Sequence, residues 1–199
     1  DEPVPLPPGG LDIAIDGVNF AYPVRADESG GSEGQGGISV LRDISVEIPA
    51  GQQVAMVGAT GSGKTTLGRL VARFADPSAG SISLGGVPLT DVSRADLRER
   101  LVVVSQEPFL FDNTIAYNVA FAREGAARAD VERIVDDLDV GDWIGSLTDG
   151  LDTRVGERGS QLSAGERQLV ALLRAGLADP DILILDEATS SVDALTEVR

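Results

Sequence analysis

Gly58-Ala59-Thr60-Gly61-Ser62-Gly63-Lys64-Thr65 is a complete G-x-x-x-x-G-K-[ST] phosphate loop, and its reading decides the fold. Its glycines let the backbone curl so that successive N–H groups point inward at phosphate oxygens. Thr65 and Thr66 then open a helix whose N-terminal dipole favours an anion. Lys64 reaches the β/γ-phosphates as a point charge, and the Thr65 hydroxyl suits Mg²⁺. Lys64 is the only lysine of the chain, against 15 arginines. Residues 53–57, Gln-Val-Ala-Met-Val, read as a short buried strand leading into the loop. After it, Leu67, Leu70, Val71 and Phe74 recur at helical spacing until Asp76-Pro77 stops the helix.

A second stretch completes the first. Residues 182–187, Ile-Leu-Ile-Leu-Asp-Glu, form an apolar strand ending in two adjacent carboxylates, Asp186 and Glu187. Together the two stretches describe a chain that grips a nucleoside triphosphate and hydrolyses it.

Composition narrows the partners. A chain of 199 residues reads as one compact α/β domain, large enough to bury a core. A net charge of −16 argues against nucleic acid, which needs a basic surface. With no Cys there are no disulfides or thiolate metal sites. No apolar run approaches the roughly 20 residues that span a bilayer, and the acidic, Pro-rich start is not a secretory signal. With no His, the commonest general base is missing.

Outward from the loop, residues 1–10 (DEPVPLPPGG) read as an uncommitted linker, and 28–37 (ESGGSEGQGG) as a flexible loop. Strands are expected at 11–15, 45–48, 81–84 (with a Gly85-Gly86 turn), 101–104 and 183–185. Residues 113–146 are helical in pattern, with Val131, Ile134, Val135 and Leu138 in register, and a further helix opens at 163–166.

These motifs, in this order, resemble the nucleotide-binding domain of ATP-binding-cassette (ABC) transporters over residues 11–199. Tyr22, in Phe20-Ala21-Tyr22-Pro23, looks like the aromatic that stacks on adenine. Gln106 looks like the Q-loop glutamine, and Leu162-Ser163-Ala164-Gly165-Glu166 is similar to the LSGGQ signature. Asp186-Glu187 closes the Walker B strand, and Ser190-Ser191-Val192-Asp193 looks like the D-loop. Residues 153–159 (TRVGERG) resemble the X-loop of exporters.

Each motif has a plainer reading beside the functional one. Tyr22 could be a surface aromatic, since adenine stacking asks only for a π-face. Gln106, at a strand end beside the phosphate loop, is read as a catalytic and metal-ligating residue rather than a simple exit to solvent. Ser163 and Glu166 satisfy the S/T-x-x-E capping box. The same helix start, with the Ser163 hydroxyl, the Gly165 backbone and Glu166, is read as facing the γ-phosphate of ATP held by a partner subunit. Asp186 is read as a Mg²⁺ ligand through water, because a buried unpaired carboxylate is costly. Glu187 is the expected general base, against a salt-bridge alternative.

Two departures from the family pattern carry expectations. Glu166 stands where the signature has Gln, placing negative charge near a triphosphate site unless Arg167 or a partner compensates. This favours a heterodimer, without excluding a homodimer. The family's switch histidine is absent, so the chain reads as a domain cut before it, and such a fragment would bind nucleotide but hydrolyse it poorly.

The expected fold is α/β: a P-loop NTPase core sheet (11–106 and 163–199), an N-terminal antiparallel β-subdomain and an inserted helical subdomain (107–162), with 1–10 the linker from a membrane domain. The resemblance implies an ATPase that uses ATP and Mg²⁺ and dimerises head to tail with a second nucleotide-binding domain. It would act on a transmembrane domain through the helical subdomain, at the cytoplasmic face of the membrane. Two alternatives remain: a soluble ABC ATPase, and a non-hydrolysing nucleotide-binding regulator.

Overall fold

The computed structural model describes residues 3–23 and 38–186. The chain divides into two compact units, Asp1–Arg98 and Glu99–Arg199.

The first unit is built on an antiparallel sheet in the order β2-β1-β3-β4, with β1 Ile13–Tyr22, β2 Ile38–Ile48, β3 Ala79–Leu84 and β4 Val87–Pro88. Both long strands exceed the expected 11–15 and 45–48. Alternation in β1 buries Val18 and Phe20 after an irregularity in its pairing with β2 between Ile15 and Val18. On its other edge β1 pairs with β3, matching Ile13 to Leu84 and Ile15 to Ile82. Gly80 permits this approach. It has φ +82, and a Cβ there would lie 2.4 Å from the Gly17 carbonyl oxygen.

Helix α1 (Lys64–Val71) follows the phosphate loop but ends earlier than the spacing predicts. Arg73 takes a left-handed φ of 54, its N–H bonds to Leu70 O, and the Phe74 N–H bonds back to Arg69 O. This is the doubled closure of a Schellman turn with arginine in the usual glycine position. The guanidinium of Arg73 anchors it, donating to Val92 O at 2.6 Å and Thr90 O at 2.9 Å. Phe74, expected on the helix, is exposed.

Two further expectations for this unit are corrected. Residues 53–57 form no strand, and Val54, Met56 and Val57 are exposed. A strand exists only through pairing, and the strands of this unit pair among themselves. Residues 3–10 are not uncommitted. Val4 bridges Val92, the Leu6 N–H donates to Asp96 Oδ2 at 2.7 Å, and Leu6 is buried. The prolines keep this segment extended, and backbone pairing with the burial of Leu6 holds it in place.

The second unit pairs two apolar strands in parallel, β5 (Leu101–Val104) and β6 (Ile182–Leu185), in the register Leu101 to Ile182 through Val104 to Leu185. Helix α2 (Arg94–Arg100) runs into β5, and an ion pair between its last residue, Arg100, and Asp181 stands just before both strands. β6 is less buried than an all-apolar run predicts, with Leu183 and Leu185 nearly half exposed. The long helix α6 (Ala164–Ala178) packs on β5 through Ala171 and Ala175, small residues against Val104.

On its other side α6 meets α3 (Ile115–Ala120) and α4 (Arg128–Asp137). Val170, Leu173 and Leu177 of α6 join Leu110, Ile115, Val119, Val131 and Val135 in one core. Gly176 allows the close crossing with α4, since a Cβ there would sit 2.7 Å from Ile134 Cδ1. A short helix, α5 (Gly141–Ser146), completes the group and lays Trp143 against this core. The expected helical stretch 113–146 is thus three helices, broken where Phe121 and Leu138 end α3 and α4. Among the described residues no helix is long and apolar enough to cross a membrane.

Candidate nucleotide site

In the first unit the phosphate loop leads directly into α1, whose N-cap is Gly63 at φ 97, with no side chain capping the helix start. Gly58, Gly61 and Gly63 make the loop geometry possible. A Cβ on Gly58 would lie 2.7 Å from Ser62 Oγ, and one on Gly63 would lie 2.6 Å from Leu41 Cδ2. The Ser62 N–H closes a turn onto Ala59 O at 3.1 Å. Lys64 curls over this turn and donates from Nζ to Gly58 O at 2.8 Å and Ala59 O at 3.1 Å. The ammonium is thereby held at the loop mouth, on carbonyl acceptors weaker than a phosphate oxygen.

Tyr22, at the end of β1, is brought to the same place. Its hydroxyl is 3.2 Å from Thr66 Oγ1, its ring meets Phe20 edge-on at 5.0 Å, and it remains 39% exposed. An aromatic face is therefore fixed against the phosphate-loop helix yet open to solvent. Thr66 itself is buried, with its hydroxyl against that of Tyr22. Ala59, Thr60 and Thr65 are exposed along the loop.

In the second unit, Gln106 follows β5 and Asp186 follows β6. Because the strands are parallel and in register, both lie off the same, carboxyl, edge, where ligands of α/β sheets sit. The Asp186 N–H extends the ladder by bonding Val104 O at 3.0 Å. Glu187 and Ser190–Asp193, expected as general base and D-loop, lie outside the described residues.

The helix start at 163–166 forms the capping box. The Ser163 hydroxyl accepts from the Glu166 N–H at 3.2 Å, and Glu166 Oε2 accepts from the Ser163 N–H at 2.7 Å. Ser163 and Ala164 are exposed, while Gly165 is buried. Glu166 Oε1 accepts from Trp143 Nε1 at 3.2 Å. Partial burial works to raise the Glu166 carboxyl, but the hydrogen bonds from Ser163 and Trp143 prevail and hold it below the usual carboxylate range. Arg167 does not compensate Glu166; it donates to Leu162 O at 2.6 Å.

Gln168, Asn118 and Arg174, which sequence reasoning missed, organise this unit. Gln168, one turn into α6 and 1% exposed, donates from Nε2 to Gln106 O at 3.1 Å, joining the capped helix to the segment after β5. A glutamine on the same helical stripe as Ala171 and Ala175 was the available signal. Arg174 donates to Phe109 O and Asn118 O, and its Nη2 reaches Asn118 Oδ1. Its guanidinium also lies 5.8 Å from the centre of the Phe111 ring, and burial lowers its pKa.

The ABC transporter family model matches residues 41–190. The "Uncharacterized ABC transporter ATP-binding protein YknV" of Bacillus subtilis is 46% identical over 188 residues, 94% of this chain and 29% of that protein. The "ATP-dependent lipid A-core flippase" of Chromobacterium violaceum is 43% identical over 185 residues, 93% of this chain and 30% of that protein. A solved structure titled "Structure of a bacterial Atm1-family ABC exporter with ATP bound" matches at a TM-score of 0.86 and 39% identity, covering 99% of this chain and 32% of that one. The chain thus spans less than a third of the length of these relatives. Its fold is that of an α/β ABC ATPase. The chain belongs to the ABC transporter family, in which it forms a nucleotide-binding domain.

Proposed function

We propose that the chain is the ATP-binding and ATP-hydrolysing domain of an ABC exporter, working by MgATP-driven head-to-tail dimerisation at the cytoplasmic face of a membrane. The observation that carries this reading is the loop itself: Lys64 Nζ held on the Gly58 and Ala59 carbonyls, beside an exposed Tyr22 tied to Thr66. Gly61 and Gly63 hold φ +81 and +97, a left-handed backbone that suits a loop whose N–H groups turn toward an anion.

In this reading Lys64 leaves the loop carbonyls for the β/γ-phosphate oxygens, and the loop N–H groups of 59–65 donate to them. Tyr22 stacks on the adenine. Oxygen donors on Thr65 and Gln106 and, through water, on Asp186 would hold Mg²⁺, the donor set a hard cation prefers. The chemistry that Mg²⁺ would supply there is neutralisation of the negative charge that develops on the phosphates. Glu187 accepts the proton of the attacking water. Ser163, Gly165 and Glu166 present the capped start of α6 to nucleotide held by a second nucleotide-binding domain, of the same or a different sequence. Catalysis is then positioning and charge stabilisation, with little covalent work for the protein.

The partner on the membrane side is a transmembrane domain, and an exposed aromatic face supports this. Phe109, Tyr117 and Phe121 are 59%, 46% and 60% exposed around Phe111, beside an open groove of about 390 Å³ between Tyr117, Phe121, Arg123 and Ala126. Such a patch suits burial by a partner.

Calorimetry of MgATP binding to this chain, beside Lys64→Ala, tests the reading. We expect binding by the unmodified chain and its loss in the variant. Equal binding by both would remove Lys64 from the site and the proposal with it.

A further inference from the structure

Glu166 departs from the glutamine of the family signature, and a bare charge near a triphosphate would weaken a site. The structure offers a different account of the acid. Both of its oxygens are committed within the chain: Oε2 to the Ser163 N–H at 2.7 Å and Oε1 to the Trp143 indole N–H at 3.2 Å. Two donors from two elements converge on one side chain. A carboxylate can accept from both. A glutamine has one acceptor oxygen and one NH₂, so it would set its NH₂ against either the indole or the Ser163 amide. The helix N-terminus favours the negative charge that results.

We propose that Trp143 is a positioning residue of the signature helix: its indole holds the carboxylate of Glu166, and through it the Ser163–Gly165 turn, in the orientation that meets a partner's nucleotide. Acid at 166 is then the requirement of the tryptophan at 143. It is not the mark of a weakened ATP site, and it carries no information about heterodimer against homodimer. Trp143 is suited to the task. It lies on α5, packed against the same core that α6 buries, so the clamp joins the start of α6 to a second helix. The positioning role rests on the dimerisation proposed above; the hydrogen bond does not.

Because Trp143 is the only tryptophan of the chain, its fluorescence reads the contact directly. Four proteins are compared: the unmodified chain, Trp143→Phe, Glu166→Gln and the double variant. Without nucleotide, Glu166→Gln is expected to shift the Trp143 emission and its quenching by iodide while far-UV circular dichroism is unchanged. An unaltered emission would overturn the clamp.

Sedimentation velocity against MgATP concentration then reads the positioning. Each single variant is expected to raise the concentration for half-maximal dimer by about three- to tenfold, the net worth of one ordinary hydrogen bond. The double variant should be no worse than the weaker single one, because glutamine is acceptable once the indole is gone. A purely structural role would lower the folded fraction without moving this midpoint. Additive losses, or an unmoved midpoint, would overturn the positioning role. Absence of MgATP-dependent dimer in the unmodified chain would instead refute the dimerisation reading, and with it the positioning role, while the emission still decides the clamp.

Discussion

Asn118 is wholly buried and uses every polar atom of its side chain. Its Nδ2 donates to Phe111 O at 3.0 Å and Thr114 O at 2.9 Å, and its Oδ1 accepts from the Phe111 N–H and from Arg174. Replacing it by alanine leaves several buried groups without partners. We expect Asn118→Ala to cost about 2–4 kcal/mol in urea denaturation, above the range of an ordinary surface change. Gln168 presents a different residue-scale case, because its one described bond runs to the backbone of Gln106. Gln168→Leu keeps the volume and removes that bond. The expected result is a raised apparent Kd for MgATP together with a smaller stability loss than Asn118→Ala, seen by calorimetry and urea titration of the same sample. An unchanged Kd would mean that the Gln106 backbone needs no such support.

Among the elements, α6 carries the most weight, since it faces β5 on one side and α3 and α4 on the other. Its start is held by the Ser163 cap, and Ser163→Ala should cost about 1 kcal/mol of stability. The phosphate-loop helix α1 has no side-chain cap and places Gly63 there at φ 97, so an added side chain at its start would strain the backbone rather than remove a bond. In the sheet, the β1–β3 pairing depends on Gly80. Gly80→Ala would combine a strained φ with a backbone clash at 2.4 Å, and we expect it to destabilise by more than about 2 kcal/mol, with a matching fall in the thermal midpoint. A neutral Gly80→Ala would show that the two strands can part there without loss.

At the scale of the whole molecule, 32 acidic residues face 16 basic ones. Several carboxylates are nonetheless held below their usual range. Asp130 is lowered by the Ala127 amide and then by Arg123 and Arg133, Asp152 by Arg128, and Glu166 by Ser163 and Trp143 against its partial burial. A group whose folded pKa is depressed contributes stability above its unfolded pKa and loses it as pH falls through the folded value. Mild acidification first relieves the repulsion of a −16 chain, and deeper acidification removes these contributions. Stability should therefore peak on the acid side of neutral and fall steeply below about pH 4, where ordinary carboxylates protonate. A urea midpoint that climbs steadily down to that pH would contradict this balance.

Local chemistry was legible from the sequence alone. The phosphate loop, the capping box at Ser163–Glu166, the hairpin turn at Gly85-Gly86 and the apolar runs of β5 and β6 all follow from spacings within a few residues, where backbone geometry and hydrogen-bonding reach leave little choice. What no spacing could reveal are the pairs that close long loops: Trp143 with Glu166 across 23 residues, Arg174 with Asn118 across 56, and Gln168 with Gln106 across 62. Such contacts form only after the helices have packed, because the entropy of bringing their ends together is offset by core burial and not by any local preference. The same reason explains the corrected expectations. Residues 53–57 needed a strand partner, and residues 3–10 found a bridge at Val92 and an acceptor at Asp96. Sequence determined which residues are suited to hold a triphosphate; tertiary structure decided which side chains hold those residues in place.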